Sequence, residues 1–474
     1  MLAVAGTVLA QDDTRRLLEQ GSLQQSIERE QELLAQDGER PTLTVDGTTY
    51  RVEHTVNDVG QALYLMLQRR EWTLARKFLD EYLTLPERDP LLEHYAQGLL
   101  ARADGDHATA ISELRAVLAM QPGFLLARLE LARTLFEDQQ DREATEVFEA
   151  IAVSLADDVD RNAGVLRTVA VFRQALDKRQ GWSGSASLGP TWSDNVNRSS
   201  ASSICVFLVG GQCLVDRRTP DRIRAAGMDY DATLNRRLVL AGHHGLYLRS
   251  LLYGQSYRGA GRYNEASVAV QAGYSYRSAR HVLMFAPTFD YYGWGNQALY
   301  GAWGAHAEWN WTPSRTALLR VELDWKDLRY RTPLLAANYD GPMRAVSATY
   351  FRSLGPRWTL FAGVDLTASG APQAINAYQQ RGARLGASLQ WPEGFNSTAM
   401  ASLRERSHDA YSALLQERRH DDEQNYTLVI KANRWAMSGF TPVLTLRRNV
   451  IRSNVGWLYS HDRDVASLKL ERTF

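Results

Sequence analysis

From Gly181 onward, apolar and polar side chains alternate with a period of two, the repeat of a β-strand. Trp182, Gly184, Ala186, Leu188, Pro190 and Trp192 share one face, against Ser183, Ser185, Ser187, Gly189 and Thr191 on the other. The same reading holds where Gly301, Trp303, Ala305, Ala307, Trp309 and Trp311 alternate with His306, Glu308 and Asn310. Ala317, Leu319, Val321, Leu323 and Trp325 alternate with Arg320, Glu322, Asp324 and Lys326, and the run from Trp358 to Leu366 follows suit. In the last ten residues Ala466, Leu468, Leu470 and Phe474 oppose Ser467, Lys469, Glu471 and Thr473. About fourteen such strands are predicted between 181–193 and 465–474. Tight turns are expected at Asn235-Arg236, Ser278–Arg280, Thr312–Arg315, Leu354–Pro356 and Pro392–Phe395. The intervening connections 194–222, 252–263, 329–342, 369–380, 407–423 and 451–464 are long.

Short turns alternating with long loops, and tryptophans at strand ends, describe a transmembrane β-barrel better than a soluble sandwich or propeller. The strand at 316–327 fixes the faces. Turned over, it would put Arg320 and Lys326 into lipid, at roughly 2–4 kcal/mol each near the midplane. The apolar face is therefore outside, and Trp182, Trp192, Trp309, Trp311, Trp325 and Trp358 are expected at the membrane interfaces. Asp229, Asp231, His306, Glu308, Arg320, Glu322, Asp324, Asp365 and Arg384 are predicted to face the lumen, most simply as an ion-pair lattice that stiffens the wall. The closing strand, with Leu468, Leu470 and Phe474 outward, is expected to pair with 181–193 and remove both sheet edges. An aromatic end to that strand resembles the signal by which outer-membrane barrels are recognised for insertion.

Before residue 181 the period is helical. Gly98 and Ala110 recur 34 residues on as Ala132 and Ala144, and Leu114 and Val117 recur as Phe148 and Ile151. Small residues let two helices approach and a large one fills the gap to the next pair, as in tetratricopeptide repeats. Residues 57–85 read as a degenerate earlier hairpin and 159–178 as a helix that caps the array. Placing the groove positions of such repeats on the chain gives Leu92, Tyr95, Leu99, Arg102, Leu126, Leu129, Arg133 and Phe136 as candidate client-binding residues, some of them core. Residues 13–36 read as a loosely attached helix. Asp46-Gly47, between the β-prone runs 42–45 and 48–52, predicts a hairpin. Residues 1–10 read as the remnant of a signal peptide with a cleavage site after Val8-Leu9-Ala10. The expected organisation is 1–10, 11–55 (helix and hairpin), 56–180 (helical repeats) and 181–474 (barrel).

Composition refines this. The first 180 residues carry 20 basic and 31 acidic side chains, the remainder 34 and 23, so a neutral total hides an acidic half and a basic half. No basic run or aromatic-basic module points to nucleic acid. No apolar stretch of about 18 residues predicts a transmembrane helix, and the negative mean hydropathy of −0.35 is compatible with a barrel, whose alternation averages out. Cys205 and Cys213, in the first long loop, are expected to form a disulfide, since two ligands do not make a zinc site. His243-His244 is expected in a strand, its rings on opposite faces and unable to chelate together. No G-x-S-x-G, H-E-x-x-H, phosphate-cradling loop or C-x-x-C occurs, so the sequence selects no catalytic set, metal or cofactor.

Helical repeats followed by a barrel, with Gly181-Trp182, Leu188-Gly189, Asn195-Val-Asn197, Gly439-Phe440-Thr-Pro442 and Ser453-Asn454, resemble the Slam family, the surface lipoprotein assembly modulators. The resemblance covers roughly residues 40–474. It implies an outer-membrane translocon of a Gram-negative bacterium, with the repeats in the periplasm. Such a translocon delivers a lipoprotein, or a soluble haem- or host-interacting protein, to the surface. It implies as partners that client, outer-membrane lipid, the barrel-assembly machinery and periplasmic chaperones, and no catalytic residue or cofactor. Two other readings remain: a repeat-bearing exopolysaccharide exporter and a passive porin.

Overall fold

The computed structural model describes residues 13–21, 54–209 and 212–474. The expected signal segment and the 42–52 hairpin lie outside these residues.

The described residues 13–21 are helical and belong to helix α1. Seven further helices precede the barrel: α2 (Val56–Gln68), α3 (Trp72–Thr84), α4 (Pro90–Asp104), α5 (His107–Met120), α6 (Leu125–Glu137), α7 (Asp141–Ser154) and α8 (Val159–Gln180). Their limits are local chemistry. Thr55 caps α2 by accepting from the Asp58 amide. Pro90 opens α4, where its missing N–H costs nothing, with Asp89 as cap. Gly105, at φ +76°, ends α4 in the left-handed conformation, and Asp106 then caps α5. The helices pair as α2/α3, α4/α5 and α6/α7, and the repeated small residues do the pairing. A Cβ on Gly98 would stand 3.0 Å from Leu114, and Ala110, Ala132, Ala144, Phe148 and Ile151 are wholly buried. This is the helical-repeat domain, closed by α8.

Fourteen antiparallel strands then make a closed barrel. They are β1 (Ser183–Ser193), β4 (Ala225–Ala241), β5 (His244–Tyr257), β6 (Glu265–Arg277), β7 (His281–Trp294), β8 (Gln297–Ser314), β9 (Ala317–Tyr330), β10 (Gly341–Leu354), β11 (Trp358–Ser369), β12 (Tyr378–Trp391), β13 (Phe395–His408), β14 (His420–Lys431), β15 (Phe440–Ser453) and β16 (His461–Thr473). β2 (Ser203–Val209) and β3 (Gln212–Arg218) form a separate hairpin in the first long loop, joined by a Cys205–Cys213 disulfide. β16 closes on β1 with Leu188 opposite Leu470 and Trp192 opposite Ala466. Gly184 and Phe474 exchange backbone hydrogen bonds of 3.0 Å. Leu468, Leu470, Phe474 and all six named tryptophans are exposed on the outer wall. Trp182 and Trp192 are ten residues apart. On a strand tilted by about 40° this spans roughly 25 Å, the height of an outer-membrane apolar band.

Two expectations are corrected. The first tight turn is not at Asn235-Arg236 but at Gly242-His243, where Gly242 takes φ +52°. Asn235 and Arg236 stay in the ladder, opposite Arg249 and Leu248. His243 therefore lies in a turn, not a strand. Residues 13–21 are not loosely attached either. Asp13 and Glu19 are buried, and α1 lies inside the barrel.

Candidate functional site

The candidate site is the barrel interior with the helical domain docked at the end that bears the turns. Inward positions recur at every second residue, so one strand supplies several charges to one face. On β9 these are Arg320, Glu322, Asp324 and Lys326, and β8 answers with His306, Glu308 and Asn310. Glu308 accepts from Arg249 Nη1 at 2.9 Å and lies 3.6 Å from Arg320 Nε. His306 Nδ1 is 3.0 Å from Asp324, and Ser347 donates to Glu322 at 3.0 Å. Further round the wall, Arg384 donates to Asp365 at 2.9 Å and to Thr349 at 2.6 Å. Arg404 Nε reaches the other oxygen of Asp365 at 3.3 Å. At the closure, Lys469 lies 2.7 Å from Asp231 and 3.3 Å from Asp229, crossing β1 to do so.

All nine residues expected in the lumen thus sit on the inner face, each in a polar pair. One set has metal-ligand chemistry: donor atoms of His306, Glu308 and Glu322 lie within 4.8 Å of one another. Two guanidiniums already neutralise Glu308, so the set reads as part of the ionic lattice.

At the loop end the Asn195-Val-Asn197 segment folds inward. The Asn195 side chain donates to the Ser199 and Asp462 carbonyls, and that of Asn197 to the Asp221 carbonyl. Arg198 then meets Glu265 at 2.7 Å. Arg463 reaches across from β16 to Gln255 and Tyr257 of β5, at 2.9 and 2.7 Å.

The sequence reading placed a helix here but missed that α1 is held inside the barrel. Asp13 accepts from Ser402 Oγ and Arg404 Nη1, each at 2.8 Å. Arg15 lies 3.8 Å from Asp290 and donates to Glu19 at 3.1 Å. The Asp13 contacts join residues nearly four hundred positions apart and leave no local trace. The available signal was compositional, since a helix reading Asp-Thr-Arg-Arg-Leu-Leu-Glu has no wide apolar stripe for a protein core.

The proposed groove is largely corrected. Tyr95, Leu99, Leu129 and Phe136 are buried core and present no surface to a client. Tyr95 packs on Phe124, and Phe136 on Phe172 of α8, with ring centres 5.2 and 5.0 Å apart. Leu92 is half-buried against α2, and Leu126 is exposed. Arg102 is held by Glu137 at 2.6 Å and by Glu130, which also takes Arg133 at 2.9 Å. Burial alone would lift the Glu137 carboxyl. Hydrogen bonds from His107 and Arg102 instead hold it at about 2.

The domain junction has its own chemistry. Asp141, the first residue of α7, accepts from Arg179 of α8 at 2.8 Å and lies 3.4 Å from Arg237 of β4. His243 Nε2 lies 3.3 Å from Asp138. The hydrogen bond to Asp138, partly offset by burial, raises His243 above its ordinary value of 6.5. Burial pushes Asp138 up, but His243 and Gln140 outweigh it and leave it below the usual carboxylate range. A histidine raised on docking stabilises the contact fully below its free value and loses that stabilisation as pH rises through the docked value. The carboxylate contributes above its own free value and loses this as pH falls. Docking is therefore expected to weaken as pH climbs through the raised His243 value. Limited proteolysis at the 180–183 junction across that range checks it, and H243Q should flatten the profile. Identical profiles for the two proteins would refute the assignment.

Comparison with known proteins follows the same division. Residues 182–474 match the family described as Surface lipoprotein assembly modifier. Residues 45–148 match the N-terminal TPR repeats of Surface lipoprotein assembly modifiers. A protein named Hemophilin secretion modulator, from Acinetobacter baumannii, is 39% identical, covering 98% of this chain and 96% of its own. Surface lipoprotein assembly modifier 2 of Neisseria meningitidis serogroup B is 25% identical, covering 87% and 84%. Among solved structures, the outer membrane channel DcaP of Acinetobacter baumannii covers 62% of this chain and 96% of its own, at 6% identity and a TM-score of 0.36.

Proposed function

The chain belongs to the surface lipoprotein assembly modifier family, and from that premise we propose that it is an outer-membrane translocon for one class of client protein. The helical domain stands in the periplasm and receives the client; the barrel provides its way to the surface. The observation that carries this is the junction: a helical-repeat domain fixed to the turn end of a barrel by buried ion pairs, where it can hand a protein to the wall or lumen. A passive porin has no use for such a docked domain. The proposed client is a secreted protein of the hemophilin kind, because the relative named for hemophilin secretion aligns along almost the whole chain. Recruitment by Arg102 and Arg133 is not part of the proposal, since both are bound to glutamates within the repeats.

Deleting the gene should leave the client synthesised but absent from the medium and the cell surface, and supplying the chain in trans should restore it. Comparison of whole-cell, surface and medium proteomes measures this. Indistinguishable surface and medium proteomes would reject the translocon reading.

A further inference from the structure

A barrel of fourteen strands is wider than its own inward side chains can fill, since about eight strands is the size they close unaided. Water or a further stretch of chain must fill the rest. In this chain α1 takes part of that space. One face of the helix shares a cavity with Asp229, Gln255, Asn425 and Arg447, and another with Asp290, His306, Asp324 and Lys326. It therefore stands between opposite walls. Its acidic end is held by Ser402 and Arg404 of β13, and its basic turn faces Asp290 of β7.

The contacts are arranged so that the helix can leave. Removing one partner of a buried ion pair normally strands the other at high cost. Here each wall group keeps a partner. Arg404 retains Asp365 at 3.3 Å and Glu423 at 4.0 Å, and Asp290 retains Lys326. Within α1, Arg15 retains Glu19 four residues on. The 34 residues between Gly21 and Val56 span at most about 110 Å when extended. That exceeds the barrel height several times over, so the length of chain between α1 and α2 does not by itself tie α1 to the lumen.

We propose that residues 13–21 are an exchangeable internal plug. The polar inner wall around Arg404 and Asp290 is a peptide-binding site for a short helix carrying an acidic residue two positions before a basic one, and it is occupied at rest by this chain's own N-terminal segment. The plug closes the lumen, and displacing it opens the barrel. This closure does not depend on the identity of any client, and its test reads ion flow rather than export.

The full chain, purified and inserted in planar lipid bilayers, is compared with a full chain lacking only residues 13–21 and with D13A/R15A, which leaves the wall untouched. Both variants should raise the time spent conducting roughly tenfold or more, the effect of losing one charge-assisted contact. A synthetic peptide of residues 13–21 should close the deletion variant again, and a peptide with both charges reversed should not. Because deletion could disturb insertion, D13C/S402C supplies an independent reading. It should cross-link on oxidation in intact cells and stay closed until reduced, whereas reductant on the wild type, which breaks only Cys205–Cys213, should change nothing. Equal conduction by wild type and deletion variant, or failure of D13C/S402C to cross-link, would overturn the proposal.

Discussion

Replacing Asp141 by alanine is expected to destabilise the helical domain by roughly 3–5 kcal/mol and to release it from the barrel. Asp141 is 1% exposed and is shared by two guanidiniums. Arg179 stacks on the Phe136 ring at 3.7 Å and donates to the Phe136 carbonyl at 3.0 Å, so it is built into the core of the repeats. Arg237 comes from the barrel and also donates to the His243 carbonyl at 2.9 Å. Without the carboxylate, two buried like charges face each other with nothing between them. The substitution therefore has two separable effects, one on folding and one on docking. D141N keeps the shape and an acceptor oxygen and should fall between wild type and alanine. R237A removes only the barrel's share and should free the junction while leaving the Asp141–Arg179 pair and the melting of the repeats intact. Thermal unfolding followed by circular dichroism, with proteolysis at residues 180–183, distinguishes them. If D141A melts and resists protease as the wild type does, this ion triad is not what joins the domains.

The same residues explain what the sequence concealed. Alternation made the strands legible because lipid on one side and charge on the other leave no freedom of register. It failed at Asn235-Arg236-Arg237, where three polar residues in a row imitate a turn. They are instead the junction: Arg236 lies over the Trp182 ring at 5.1 Å, and Arg237 turns inward to Asp141. The helical repeats were legible from Gly98, Ala110, Ala132 and Ala144, because close packing permits only small residues there. The same pattern named the groove positions but could not tell what covers them, and Phe172 of α8 does so at Phe136. The lumen residues were readable as a face; their partners were not, because pairs such as Arg463 with Gln255 cross between strands that are not neighbours. Asp13 with Arg404 is the extreme case, since it depends on the whole barrel being closed.

Closure is where a further large effect is expected. The ladder between β1 and β16 runs through Ser185–Leu188 and resumes at Thr191, but skips Gly189 and Pro190. Against β4, on its other side, β1 is paired without interruption. Pro190 has no N–H to donate, so the seam lacks a backbone bond near mid-height. Side chains take over there. Gly189 faces inward with no side chain, and its backbone approaches β16 so closely that a Cβ would stand 2.0 Å from the Leu468 carbonyl oxygen. Lys469 extends over β1 to Asp229 and Asp231 on β4, fastening three strands where the ladder is open. K469A should therefore cost roughly 3 kcal/mol. Asp231 is left with Ser187, while Asp229 keeps Gln255 and Ser467 at 2.9 Å. Read by semi-native electrophoresis against temperature, the folded barrel should unfold several degrees earlier. K469R, which keeps the charge, should recover most of the loss. A pair such as Thr191 and Ser467, whose hydroxyls are 2.8 Å apart across the seam, offers the complement. T191C/S467C should stitch the same edge, and oxidation should restore the unfolding temperature of K469A. If K469A unfolds with the wild type, the seam is held by its backbone ladder alone and Lys469 is only one more lumenal charge.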